Sequence, residues 1–198
     1  MPVSYTNRKG QTYTLYLGQT KSGKPRYYFG RTGKTQGEPV TEIPPGFSIS
    51  ESVNGIVSLA KHKPSLIQPE EAAAVEAILQ QHPQAQRYRV VVKHNRIEIY
   101  EQFGPDYNEV LKIFGMADEP SPHLVGELQA MEERHAQYSP VLRFNLLDPV
   151  QRSFGAERMC YLSSIDGWLE LYQYMGSVKQ LAQALIPTLG TDEFFELF

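Results

Sequence analysis

The dipeptide Asn54-Gly55 stands between two runs of strand-forming residues, Phe47 to Val53 and Ile56 to Lys61. Asparagine and glycine tolerate the positive φ that both central positions of a type I′ turn demand, so the pair predicts a β-hairpin closed by a two-residue loop. That loop pairs Val53 with Ile56. It places Phe47, Ile49, Val53, Ile56 and Ala60 on one face and Ser48, Ser50, Ser52 and Lys61 largely on the other.

A second hairpin precedes it. Tyr13, Leu15 and Leu17 alternate with Thr12, Thr14 and Tyr16, a pattern suited to a pleated surface. Lys21-Ser22-Gly23-Lys24 predicts a turn, and Pro25 can open the return strand because no ladder N–H is needed there. Arg26, Tyr27, Tyr28 and Phe29 continue that strand. Alternation then gives one face Tyr13, Leu15, Leu17, Tyr27 and Phe29, and the other Thr12, Thr14, Tyr16, Arg26 and Tyr28. These segments predict a small antiparallel β-sheet module over residues 1–64, with Pro64 to Gln68 as linker to a mixed α+β domain over 65–198.

In that second part, Pro69, Glu70 and Glu71 predict the first turn of a helix carrying Ala72, Val75, Ile78 and Leu79, ended before Pro83. Tyr88 to Val92 and Ile97 to Ile99 flank His94-Asn95 and predict another hairpin. Helices are expected from about Asp106 to Phe114 and after Ser121-Pro122, the latter burying Leu124, Leu128 and Met131. Val141 to Leu147 and Glu157 to Leu162 predict strands. Trp168 to Tyr172 predicts a helix, with a hairpin turned at Asp166-Gly167 as the alternative. Ser177 predicts the cap of a helix with Val178, Leu181 and Leu185, and Thr191-Asp192-Glu193 a last helical turn. For the terminal Phe194-Phe195-Glu196-Leu197, docking on the chain's own core is the expectation, and insertion into a partner's pocket the alternative.

Charge is unevenly spread. Residues 1–64 hold nine basic and three acidic residues, and 65–198 ten basic and nineteen acidic. No acid occurs before Glu38. The single cysteine, Cys160, excludes an intramolecular disulfide and a multi-thiolate zinc site, which with the lack of a signal-like or membrane-spanning apolar run predicts a cytoplasmic protein.

Tyr5-Thr6-Asn7-Arg8-Lys9-Gly10, Lys24-Pro25-Arg26-Tyr27-Tyr28-Phe29, the Ile43 to Phe47 run, Tyr138-Ser139-Pro140 with Leu142-Arg143-Phe144, and Phe194-Phe195-Glu196-Leu197 together resemble a family of uncharacterised bacterial proteins. The resemblance covers most of the chain. It implies a bacterial protein of similar architecture and carries over no activity and no functional residue.

Motifs for chemistry fail on spacing. Gly30-Arg31-Thr32-Gly33-Lys34-Thr35 ends like a phosphate-binding P-loop, but position 28 is Tyr28 where the first glycine is required, and no helix can begin at Gln36-Gly37-Glu38-Pro39. None of the five histidines has an i, i+4 histidine partner. Glu132 and His135 supply Glu-x-x-His once, where a carboxylate-bridged metal centre needs it twice. Cys160, between Met159 and Tyr161, predicts a small buried hydrophobe. No catalytic residue, metal or cofactor is assigned.

What remains is the basic, tyrosine-bearing sheet. Tyrosines stack on bases, and guanidinium and ammonium groups neutralise phosphates, so the expectation is a nucleic-acid-associated accessory protein that binds DNA or RNA through Arg8, Lys9, Lys21, Lys24, Arg26, Tyr28 and Arg31. The alternative is a protein–protein interaction or regulatory adaptor, including one that meets a second copy of itself, with no nucleic-acid contact. An enzyme of unknown class is the third reading. A membrane partner is not expected.

Overall fold

A computed structural model describes residues 1–31, 37–104, 122–162 and 165–197 of the chain. Antiparallel sheet predominates, with helices. The chain divides into two compact units, Met1–His62 with Phe103–Gln137 and Lys63–Gln102 with Tyr138–Phe198. The helix expected over 106–114 lies outside the described residues.

In the first unit, β1 (Ser4–Thr6), β2 (Thr12–Gln19) and β3 (Pro25–Arg31) form a meander, and β4 (Glu38–Pro39) pairs with β2 beyond β1. The β2–β3 register sets Leu15 opposite Phe29, Leu17 opposite Tyr27 and Tyr16 opposite Tyr28, which reproduces the two faces expected from alternation. Leu15, Thr14 and Tyr16 are buried.

The hairpin of β5 (Phe47–Glu51) and β6 (Val57–Lys61) differs from expectation by one residue. Ile49 pairs with Leu59 and Glu51 with Val57, so Leu59, not Ala60, shares the face of Phe47 and Ile49. The loop holds three residues. The Gly55 N–H donates to the Ser52 carbonyl (2.8 Å), the Ile56 N–H to Ser52 Oγ (3.0 Å), and Gly55 takes φ of 77°. This is a type I turn followed by a left-handed glycine, in which serine supplies an acceptor that a two-residue loop would leave unused.

In the same unit α2 (Pro122–His135) follows Ser121, as its Pro122 predicts. Met131 does not join a core: it is 51% exposed.

The second unit is a five-stranded sheet in the order β11-β10-β9-β8-β7, with β7 (Tyr88–Val92), β8 (Arg96–Phe103), β9 (Gln137–Asp148), β10 (Ser153–Leu162) and β11 (Ile165–Gly176). Its core face carries Ile97, Ile99, Leu142, Phe144, Phe154 and Leu171. These pack with Val75 and Leu79 of α1 (Pro69–Leu79), Leu181 and Leu185 of α3 (Val178–Leu185), and Phe194 of α4 (Asp192–Glu196). The segment read as a linker is anchored: Ile67 enters this core, and the Leu66 N–H donates to the His94 carbonyl.

Trp168 to Tyr172 is strand, not helix. Asp166 pairs with Tyr161 and Gly167 with Cys160, so both lie within the ladder, and Trp168 stands opposite Met159 and Leu169 opposite Arg158. On the sheet face away from the core, Arg143 ion-pairs with Glu157 directly across the ladder and lies 4.1 Å over the Trp168 ring. No described helix is long and apolar enough to cross a membrane.

Candidate nucleic-acid interface

Three hairpin turns of the first unit share one design. Asn7, Thr20 and Ser52 each begin a turn that ends on a glycine with positive φ, namely Gly10, Gly23 and Gly55. Each offers a side-chain oxygen to the N–H four residues on: Asn7 Oδ1 to Gln11 (2.9 Å), Thr20 Oγ1 to Lys24 (3.1 Å) and Ser52 Oγ to Ile56 (3.0 Å). The short polar side chain replaces a ladder partner that the turn would leave open.

Two of these turns are docked on each other. Asn7 Nδ2 donates to the Gly55 carbonyl (2.7 Å), and a Cβ on Gly55 would stand 3.1 Å from that nitrogen and 3.4 Å from the Lys9 stem. Glu51 closes the contact by accepting from the Tyr5 hydroxyl and from the Arg8 N–H, each at 2.8 Å. The Tyr5 phenol is accordingly pushed above its ordinary range by its hydrogen bond to Glu51. The Arg8 guanidinium donates to the Ala136 carbonyl (3.0 Å). Lys9 is held below the usual lysine range, first by burial and then by the neighbouring Arg8 charge. Arg8, read from the sequence as a phosphate contact, is therefore occupied inside its own unit, and the stem of Lys9 packs beside Gly55.

Tyr28 is occupied too. Its ring stacks on Tyr16 with centroids 6.1 Å apart, and a Cβ on Gly18 or Gly37 would come within 2.9 Å or 2.7 Å of it. Tyrosine here fills the space that two glycines leave open, and its ring is half-buried. Arg31 sits opposite Tyr13, on the other face from Arg26 and Tyr28, with its guanidinium 3.4 Å from Gln11 Oε1.

Lys21, Lys24 and Arg26 are different. All three are exposed, and their side chains make no hydrogen bond or ion pair with a described residue. They lie at the third turn, Thr20 to Gly23, which docks on neither of the others among the described residues. The turn is nonetheless ordered, with the Thr20 N–H on the Lys24 carbonyl (2.8 Å) and Thr20 Oγ1 beside Ser22 Oγ (3.0 Å). β4 meets β2 only at Tyr16 and Leu17, so past Leu17 the hairpin continues as two strands, Gly18-Gln19 against Pro25-Arg26. Of the seven expected residues, these three share one free end.

Charge counted over the compact unit also differs from charge counted along the chain. The first unit holds ten basic and ten acidic residues in its sequence, because 103–137 brings seven acids to it. Counted over the whole unit, the excess of the N-terminal third is balanced in number.

Two clefts lined by described residues are small. The one between Asn145, Gly155, Glu157, Glu170 and Met175 has about 20 Å³, room for one water molecule. An open hollow beside Glu71, Arg152, Ser177 and Lys179 measures about 200 Å³, and its Arg152 is spent on an ion pair with Glu71. Ligand pockets generally exceed roughly 300 Å³. No group of three His, Cys, Asp or Glu residues able to hold a metal occurs among the described residues. Cys160 is buried in β10. No protein-family model matches the sequence, and comparison with curated proteins and with solved structures gives no match.

Proposed function

We propose that this protein is a nucleic-acid-associated accessory protein that holds DNA or RNA through the end of the β2–β3 hairpin, with Lys21, Lys24 and Arg26 on phosphates. The observation that carries this reading is that these three cations share one hairpin end and make no hydrogen bond or ion pair with a described residue, whereas the Arg8 and Arg31 guanidiniums have partners. Phosphate contacts require cations that are not already neutralised, and the ordered backbone of the hairpin end holds these three close together before binding. Within the first unit, β1 and β4 on β2 serve as the scaffold that fixes the hairpin.

The test is a titration of labelled DNA and RNA at low salt with the wild-type chain and with K21A/K24A/R26A. Binding by the wild type that the triple variant loses, with the thermal melt unchanged, supports the reading. Absence of wild-type binding at low salt contradicts it.

A second reading, an adaptor that meets another copy of itself, is favoured by β11. This twelve-residue strand closes the sheet with its outer edge unpaired among the described residues, and carries Tyr172 and Met175, 75% and 64% exposed. Unpaired edges with Tyr and Met are surfaces on which chains associate. Sedimentation of the purified protein over a range of concentrations tests it: a single monomeric species throughout would remove this reading.

A further inference from the structure

We infer that the nucleic acid taken by the β2–β3 end is a DNA duplex, entered at the major groove, rather than a single strand. The inference rests on the reading of that end as a phosphate-binding element and adds the class of nucleic acid.

Single-stranded DNA and RNA are held mainly by stacking of unpaired bases on exposed aromatic faces, worth about 1–3 kcal/mol per base. On its cationic face the hairpin has no fully exposed aromatic ring among the described residues. Tyr16 is 7% exposed, Tyr28 lies stacked on it, and Gly18 and Gly37 back the Tyr28 ring and hydroxyl. Tyr27, 39% exposed, is paired with Leu17 on the opposite face from Arg26.

What the end does offer is a short two-stranded ribbon, with no described strand paired to the outer edge of β3 although β6 lies near that strand. Beyond Leu17 no described strand flanks β2 on its outer side. The ribbon closes in a three-residue loop at Lys21-Ser22-Gly23, and residues 21 to 27 are all exposed. Two strands lie about 4.8 Å apart, and the major groove of B-form DNA, about 12 Å wide, admits a two-stranded ribbon. Lys21 at the loop, Lys24 at its exit and Arg26 on the return strand would then face the phosphates that wall the groove. The deep, narrow major groove of A-form RNA does not admit it.

The experiment compares a short DNA duplex, its single strand and an RNA duplex of the same sequence, at equal phosphate concentration, by fluorescence anisotropy with wild type and with Tyr27→Ala. The DNA duplex is expected to bind at least tenfold more tightly than either of the others, and Y27A to hold it within about twofold. Single strand bound as tightly as duplex, or binding abolished by Y27A, overturns this inference while leaving the phosphate-binding reading standing. RNA duplex bound equally well overturns the groove assignment. Binding to none of the three probes removes the underlying reading instead, and the inference with it.

Discussion

Asn7 and Gly55, forty-eight residues apart, are joined by a hydrogen bond of 2.7 Å from the Asn7 amide to the Gly55 carbonyl. Asn7 is 4% exposed, and its Oδ1 also accepts from Lys9 and Gln11. One side chain therefore satisfies three backbone groups and locks two turns together. Asn7→Ala leaves those groups unmade, and should lower stability by about 2 kcal/mol in a denaturant titration. Gly55→Ala should cost at least as much, since φ of 77° and the 3.1 Å approach to Asn7 both oppose a Cβ.

Tyr28 separates structure from binding. If its ring serves to cover Gly18 and Gly37, Tyr28→Ala should lower stability by about 2 kcal/mol, less than a fully buried aromatic would. Its effect on DNA affinity, measured well below the melting temperature, should stay within about twofold. A large loss of affinity with an unchanged melt would return Tyr28 to the interface.

The arrangement of hairpins, faces and the α1 and α3 helices was legible because each is set by local chemistry: alternation, Pro69 at a helix start, Ser177 at a cap. The second-hairpin register was not. Asn54-Gly55 suits a two-residue loop, and only the Ser52 hydroxyl and the docking of Gly55 on Asn7 shift it to three. β11 misled because Trp168 to Tyr172 has no local signal that outweighs a helix, and its pairing with β10 decides the matter. For the site, the cations could be counted but not sorted. Arg8 is taken up by a carbonyl 128 positions away, a relation that no spacing in the sequence announces.

Arg158 holds the C-terminal segment. It is 4% exposed, and its guanidinium donates to the carbonyls of Phe195 and Leu197, each at 2.9 Å, placing a cation at the carboxyl end of α4. Phe194 is buried in the core, which matches the expected docking of the terminus. Arg158→Met should cost about 2 kcal/mol and make limited proteolysis cut near Phe195 many times faster. Equal cleavage in both proteins would refute the clamp.

Tyr88 predicts an alkaline limit. Burial first, and then the Glu101 carboxylate that accepts its hydroxyl at 3.1 Å, push the phenol well above its ordinary range. A pKa raised on folding contributes stability that is complete below the unfolded value, near pH 10, and lost as pH rises from there toward the folded value. Denaturation followed from pH 8 to 11 should show this decline above about pH 10, and Tyr88→Phe should flatten it. An identical decline in Y88F would assign it elsewhere.

The central claim is that three cations at one hairpin end, without a partner among the described residues, hold phosphates, and the salt dependence of DNA affinity tests it most directly. With three phosphates neutralised on a duplex, the slope of log K against log salt should be about −2.7, a loss of about fortyfold between 50 and 200 mM. Replacing Lys21, Lys24 and Arg26 together should leave no measurable binding. A wild-type slope near zero, or the same slope and affinity in the triple variant, would contradict the account.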